Sequence, residues 1–258
     1  MLSCFIRSSA SCNRAVAVWL AGLGLFCGPA CGSRVDAPMA ESSSSSSATP
    51  PALPDLGSEA VVCGESGDQA GNDDEVATLA GCQIYRGSLS LGRSVTSLSP
   101  LASLRILEGR LSTPGHNSDL ETLDGLEQLQ SVGELVFSRD GLRVMSGVPN
   151  LREVKGAFKL FGLTNLTDLD GLENLEFTGR FEVSFNAALV DFDGLSGLQR
   201  VEGDLYIDGN PELTGLDGLV ALEHVTGDLY IRENPKVPKS QIDALLSRVR
   251  IDGEVHVD

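Results

Sequence analysis

Gly203-Asp204-Leu205-Tyr206-Ile207-Asp208-Gly209-Asn210-Pro211-Glu212-Leu213-Thr214-Gly215-Leu216-Asp217-Gly218-Leu219 is the stretch whose reading decides the fold. Leu205 and Ile207 alternate with polar neighbours, the period of a short strand with one face inward. Leu213, Leu216, Leu219 and Leu222 then step by three, which suits a return path of tight turns or 3₁₀ structure pointing one side chain inward per step. Such a unit has no second face to bury against itself. About five aliphatics go inside per unit, at roughly 1.5–3 kcal/mol each, so burial offsets ordering only when a neighbour lies on both sides.

Working outward from that unit, Gly-x-φ-x-φ (φ apolar) starts at Gly87, Gly109, Gly133, Gly156, Gly179, Gly203, Gly227 and Gly253, at intervals of 22 to 26 residues. A self-similar period of this length means a solenoid. Asn186, Asn210 and Asn234 fall three places beyond Val183, Ile207 and Ile231. They read as a structural ladder of inward amides that satisfies backbone groups freed at a bend. Leu-Asp-Gly-Leu at 123–126, 169–172 and 216–219, with Phe192-Asp193-Gly194-Leu195, reads as a second repeated turn. An exposed calcium ladder along Asp124, Asp170, Asp193 and Asp217 is the alternative for those acids.

Both ends depart from the period, as a finite column requires. Asn72-Asp73-Asp74-Glu75 ahead of Val76, Ala77 and Leu79 reads as a capping box and a short helix ending at Gly81. Ile242, Leu245, Leu246 and Val249 have helical spacing, with Ser240 and Asp243 as a second capping box. These two short helices are expected to cover apolar ends that would otherwise attract other molecules.

The first thirty residues do not belong to this pattern. Arg7 and Arg14 give a basic start, Ala15 to Cys27 run apolar, and Gly28, Ala30 and Gly32 supply small residues, which together read as a signal peptide over 1–30. Gly28-Pro29-Ala30-Cys31 resembles a bacterial lipoprotein box, with Cys31 as the lipidated residue; it departs from the usual pattern at Gly28, where Leu is customary, and plain cleavage after Ala30 is the alternative. Residues 31–60, rich in Ser, Pro and Ala with six serines at Ser42 to Ser47, read as a disordered tether reaching about 30 Å. Cys4, Cys12 and Cys27 leave with the signal and Cys31 takes the lipid. Cys63 and Cys82 then remain as one disulfide pair, worth about 3 kcal/mol by loop closure.

Val-x-Gly-x-Leu-x-Ile, then Asn, then Leu-x-x-Leu-x-Gly-Leu, resembles the receptor L-domain family of leucine-rich β-helical modules, in the form of its single-domain bacterial lipoproteins. The resemblance covers Cys63 to Asp258, and Cys82-Gln83-Ile84-x-x-Gly87-x-Leu89-x-Leu91 resembles the family's opening Cys and first strand. It implies a right-handed parallel β-helix of about eight short coils over 61–258, an all-β solenoid with a capping helix at each end. A leucine-rich-repeat horseshoe is the alternative, since Ser94 to Leu101 looks much like one of its repeats. The chain lacks the receptors' cysteine-rich module, membrane span and kinase, so only an extracytoplasmic recognition role carries over.

Charge and composition exclude several functions. The chain holds 258 residues with 36 Asp and Glu against 19 Lys and Arg, a net charge of −17. Nucleic acid is thereby excluded as a partner, because phosphate binding draws on clustered cations. His116, His224 and His256 lie in no metal-ligand spacing, and no nucleophile elbow, phosphate loop or dinucleotide fingerprint occurs, so no metal, cofactor or catalytic residue is assigned. His116 near Asp119 would make an acid/base pair, but without a nucleophile or second carboxylate it has no mechanism.

The outward middle positions of the strands are Ser90, Ser112, Val136, Lys159, Glu182, Tyr206, Tyr230 and His256. Tyr206 and Tyr230 are expected to stack as an aromatic step flanked by Asp204, Asp208, Asp228 and Arg232, which with Lys159 and Glu182 form a candidate partner-binding face. Plain cross-strand packing is the competing account of the tyrosines. The function expected is a non-catalytic extracytoplasmic lipoprotein, held in a bacterial cell envelope at the outer membrane through its N-terminal lipid alone, or else secreted. It would bind a protein or glycan; the only tryptophan, Trp19, departs with the signal, which favours protein. The alternatives are a β-helical polysaccharide lyase or hydrolase, which would need walls the uniform repeats do not supply, and a structural spacer or self-associating envelope protein.

Overall fold

Alternating aliphatics and a glycine before each short strand produce two ladders of parallel pairing that run side by side. The computed structural model describes residues 60–64, 69–113, 115 and 119–258. The expected signal peptide, Cys31, nearly all of the tether and the loop at His116 lie outside them. In chain order the strands are β1 (Val62–Cys63), β2 (Gln69–Asn72), β3 (Ile84–Tyr85), β4 (Leu89–Ser94), β5 (Ile106–Ser112), β6 (Ser131–Ser138) and β7 (Glu153–Phe161). They continue with β8 (Phe177–Ser184), β9 (Arg200–Val201), β10 (Leu205–Asp208), β11 (His224–Val225), β12 (Leu229–Arg232), β13 (Arg250–Ile251) and β14 (Val255–Val257). All fourteen join one parallel sheet, so the protein is all-β and β-helix-like.

One ladder runs through Val62, Ile84, Ile106, Ser131, Glu153, Phe177, Arg200, His224 and Arg250. The other runs through Gln69, Ser90, Ser112, Val136, Lys159, Glu182, Tyr206, Tyr230 and His256. The repeating glycines sit between the two ladders, where the register shifts within β5, β6 and β7. Their lack of a side chain is required by neighbours: a Cβ at Gly227 or Gly253 would overlap Asp204 or Asp228 one rung earlier. The second ladder begins one rung before Gly87, at β2, which the sequence pattern did not predict. There Gln69-Ala70-Gly71 replaces the aliphatic strand, and Ala70 is buried.

The steps of three form the return path. Leu219 donates to the Leu216 carbonyl and Leu222 to that of Leu219, both at 3.0 Å, and Asp217–Leu219 and Asp193–Leu195 are 3₁₀ turns. Leu213, Leu216, Leu219 and Leu222 are all buried, in one apolar core that extends from Ala70 to Val249. The glycine of each Asp-Gly turn has a steric origin: a Cβ at Gly194 or Gly218 would overlap the Leu169 or Phe192 carbonyl of the preceding repeat.

The first helix, α1 (Asp73–Ala77), starts as expected: the Asn72 side chain accepts from the Glu75 N–H at 3.0 Å, and the Glu75 carboxylate reaches back to the Gly71 N–H at 2.6 Å. It stops at Ala77 rather than running to Gly81, passing into a turn. Asp73 leaves the capping box to accept from Thr96 and Ser97 of the next repeat. The second helix, α2 (Lys239–Arg248), buries Ile242 and Leu245 but lacks the expected box at Ser240 and Asp243. It starts two residues earlier, with Pro238 as N-cap and no side-chain cap, and Asp243 pairs with Lys239 at 3.2 Å instead. Its contribution is elsewhere: Gln241 accepts from the Leu216 N–H at 2.6 Å, and Arg248 donates to the carbonyls of Leu219, Val220 and Leu222. The helix is thereby tied to carbonyls of the last return segment. No described helix is long and apolar enough to cross a membrane. Cys63 and Cys82 are joined across the first turn, their Cα atoms 5.9 Å apart.

Candidate functional site

Parallel in-register pairing places equivalent residues of successive repeats about 4.8 Å apart, so any outward side chain stacks on its counterpart. Lys159, Glu182, Tyr206 and Tyr230 are consecutive partners, and Asp208 faces Arg232 at the next outward position. The structure therefore gathers the candidate residues onto four neighbouring strands, β7, β8, β10 and β12, with Asp204 and Asp228 immediately ahead of the last two.

The tyrosine rings are stacked, centroids 4.4 Å apart and 5° from parallel. The stack is longer than two rings. His256 lies on the far face of Tyr230 at 4.4 Å and 9°, and the Arg180 guanidinium lies 4.5 Å from the Tyr206 centroid. Arg180 also pairs with Glu182 at 3.3 Å, and Lys159 holds the other oxygen of that carboxylate at 2.7 Å. Glu182 is nearly buried yet doubly paired, the condition under which a buried charge is tolerated. Arg232 packs against Tyr230, 4.7 Å from its centroid. Sequence reasoning missed Arg180 as part of this assembly. His256 had been placed in the outward row, but its stacking could have been read from its register with Tyr230.

Asp204 and Asp228 have two duties each. One oxygen accepts a backbone N–H of the next repeat, Asp228 at 3.0 Å for Asp204 and Glu254 at 2.8 Å for Asp228. The other accepts the hydroxyl of Tyr206 at 3.4 Å or of Tyr230 at 3.0 Å. The Glu254 N–H, and after it the Tyr230 hydroxyl, hold the Asp228 carboxyl below the usual range. In return, hydrogen bonding to Asp228 is the main cause that pushes Tyr230 up to about 12. The tyrosines thus present ring edges and bonded hydroxyls outward, while neighbours cover their flat faces.

The asparagines form a continuous chain inside the bend. Asn186 accepts from the Leu163 N–H at 2.9 Å, Asn210 from the Asn186 N–H at 3.1 Å and Asn234 from the Asn210 N–H at 3.0 Å. Their amides donate to the carbonyls of Leu160, Val183 and Ile207. Asp140, three places beyond Phe137 and buried, holds the equivalent position earlier in the chain, accepting from Thr113 at 2.6 Å and from the Leu142 N–H at 3.2 Å. Burial pushes its carboxyl above the ordinary range, against the lowering effect of these bonds. Substitution of Asp for Asn hid it from the sequence pattern.

Of the Asp-Gly acids, Asp170 is raised chiefly by burial and then by Asp168, Glu173, Asp191 and Asp193 nearby. Asp217 is bonded to Gln241 at 3.0 Å. Among the described residues no group of three or more His, Cys, Asp or Glu side chains is placed to hold a metal ion. No protein-family model and no curated protein matches this chain.

Proposed function

We propose that this chain is a non-catalytic recognition module of the bacterial cell envelope, a lipoprotein anchored through Cys31 whose folded part binds a protein partner on its strand face. In this reading residues 61–258 are a right-handed β-helix of about eight coils, similar to a receptor L-domain, and residues 31–60 hold it clear of the lipid. The observation that carries it is the bonded array of Lys159, Glu182, Tyr206 and Tyr230 with Arg180, Asp204 and Asp228 on neighbouring strands. Its side chains are ordered before any partner arrives, so little further rotamer entropy would be lost on binding. Tyr and Arg are the residue types that dominate interface energetics. Protein is favoured over glycan because a sugar packs on an open ring face, whereas neighbours cover both faces of Tyr230 and Arg180 lies over Tyr206.

The test is to titrate the protein against fractionated envelope proteins and a polysaccharide panel, beside a Tyr206→Ala/Tyr230→Ala double variant. Saturable binding to a protein fraction that the double variant loses is the expected result. Equal binding by both forms would remove the strand face from the account, and release of reducing ends from a polysaccharide would replace it with an enzyme.

A further inference from the structure

In every repeat from β6 to β12 the chain leaves the second ladder through one residue of positive φ: Arg139 at 52°, Gly162 at 67°, Phe185 at 60°, Gly209 at 67° and Glu233 at 55°. Glycine takes this conformation freely, while an L residue does so at about 1–2 kcal/mol. Two of the five positions are glycine, so the turn itself does not call for a side chain. Phe185 is the least suited to it, and its side chain is left 47% exposed. Its ring packs against Phe161 and Gly209, yet strain combined with an exposed aromatic makes Phe185 a candidate for a role beyond folding.

Its surroundings define a site. Phe161 meets Phe185 edge to face, centroids 5.4 Å apart at 69°. Two cations lie against Phe161, Lys159 at 5.0 Å and Arg139 at 5.9 Å from the ring centroid. Lys159 is already paired with Glu182, but Arg139 has no carboxylate partner among the described residues. Gly162 provides room for the Arg139 stem, whose Cγ would lie 3.3 Å from a Cβ there. With Thr164 and the buried Asp140, residues Arg139, Phe161, Gly162 and Phe185 line an open cleft of about 600 Å³. Asp140 forms no ion pair with the arginine; its oxygens accept from Thr113 and the Leu142 N–H.

We propose that this cleft docks a protein segment that lays an apolar side chain against Phe185 and Phe161 and places an adjacent carboxylate on Arg139. The inference rests on the reading of the chain as a recognition module and adds a second contact point beside the tyrosine stack. Phenylalanine has no polar tip to keep wet, so half-exposed phenyl rings match a dry aliphatic or aromatic group. The Arg139 guanidinium, without a carboxylate partner among the described residues, selects a carboxylate by charge and fork geometry.

The experiment uses fluorescein-labelled Gly/Ser peptides carrying a central Leu-Glu, Leu-Lys or Ser-Glu pair, followed by anisotropy. The Leu-Glu peptide is expected to bind at least about tenfold more tightly than the other two. Phe185→Gly, which relieves the positive φ, is expected to abolish that preference with little change in melting temperature. Arg139→Glu is expected to invert it towards Leu-Lys, an outcome that unfolding cannot mimic. Indifference among the three peptides, or an Arg139→Glu variant that keeps preferring Leu-Glu, would overturn the proposal. If envelope proteins still bind in a manner sensitive to Tyr206 and Tyr230, the recognition reading survives that failure.

Discussion

Replacing Asn210 with alanine removes the central link of the asparagine chain without touching the aliphatic core. Asn210 is fully buried; its oxygen accepts from the Asn186 N–H at 3.1 Å and its amide donates to the Val183 carbonyl at 3.0 Å. In the variant the Asn186 N–H faces an apolar interior with no acceptor, a penalty of about 1–3 kcal/mol, and Val183 loses one partner, for about 1 kcal/mol more. The total is about 2–4 kcal/mol. Urea unfolding followed by far-UV circular dichroism would read this as a midpoint lowered by about 1 M, given a slope of about 2–3 kcal/mol per M, with the slope itself unchanged. Asn165→Ala, at an exposed position, is the control and is expected to shift stability by less than about 0.5 kcal/mol. Equal, small effects of the two substitutions would refute the reasoning that the buried amides satisfy the bend.

Other outcomes follow from the same geometry. Gly218→Ala places a methyl group against the Phe192 carbonyl and is expected to destabilise by several kcal/mol or prevent folding, whereas Gly81→Ala, with open space around its Cβ but a φ of 83°, is expected to cost only about 1–2 kcal/mol in the same urea assay. The Asp140 carboxyl titrates higher in the folded protein than in the unfolded chain, so its contribution favours folding below the ordinary carboxylate range and is lost as pH rises through the folded value. Asp140→Asn is therefore expected to be more stable than the parent at pH 7, by on the order of 1 kcal/mol, with the advantage fading towards pH 3 in parallel melts. Asp73, Asp228 and Asp252 are shifted the other way, Asp73 by the Thr96 hydroxyl, Asp228 by the Glu254 N–H and Asp252 by His224. Their contribution is present above the ordinary carboxylate range and is lost as pH falls through the folded values, and amide protection at Thr96 and Glu254, relative to the intrinsic exchange rate, is expected to fall there first. Tyr230 is expected to ionise near pH 12 by ultraviolet titration and to fall towards 10 in Asp228→Asn; an unchanged value would deny the hydrogen bond its part.

Repetition made much of the fold legible. Leu205, Ile207, Leu213, Leu216, Leu219 and Leu222 could be assigned inward from spacing alone because each repeat imposes the same choice, and all six are buried. Register followed, and with it the stacking of Tyr206 on Tyr230. What escaped was set by contacts between repeats of unlike composition. The glycine of each Asp-Gly pair reads as a turn residue, yet the carbonyl of the preceding repeat is what excludes its side chain, and that neighbour lies some two dozen residues away. Ser240 and Asp243 fit a capping box locally, but α2 is placed by Gln241 and Arg248 docking on the last return segment. Nothing local in the sequence marks Arg180 or Arg139. Only the stacking of repeats brings one onto a tyrosine ring and the other beside two phenyl rings.

Spacing along the outward row tests the stacked architecture most directly. Nitroxide pairs that share one label at Ser112, with the second at Glu182, Tyr206, Tyr230 or His256, span three to six rungs of one ladder. Pulsed dipolar spectroscopy is expected to give separations that grow by about 4.8 Å per rung, from about 14 Å to about 29 Å. Distances that fail to rise steadily along the series would contradict the account.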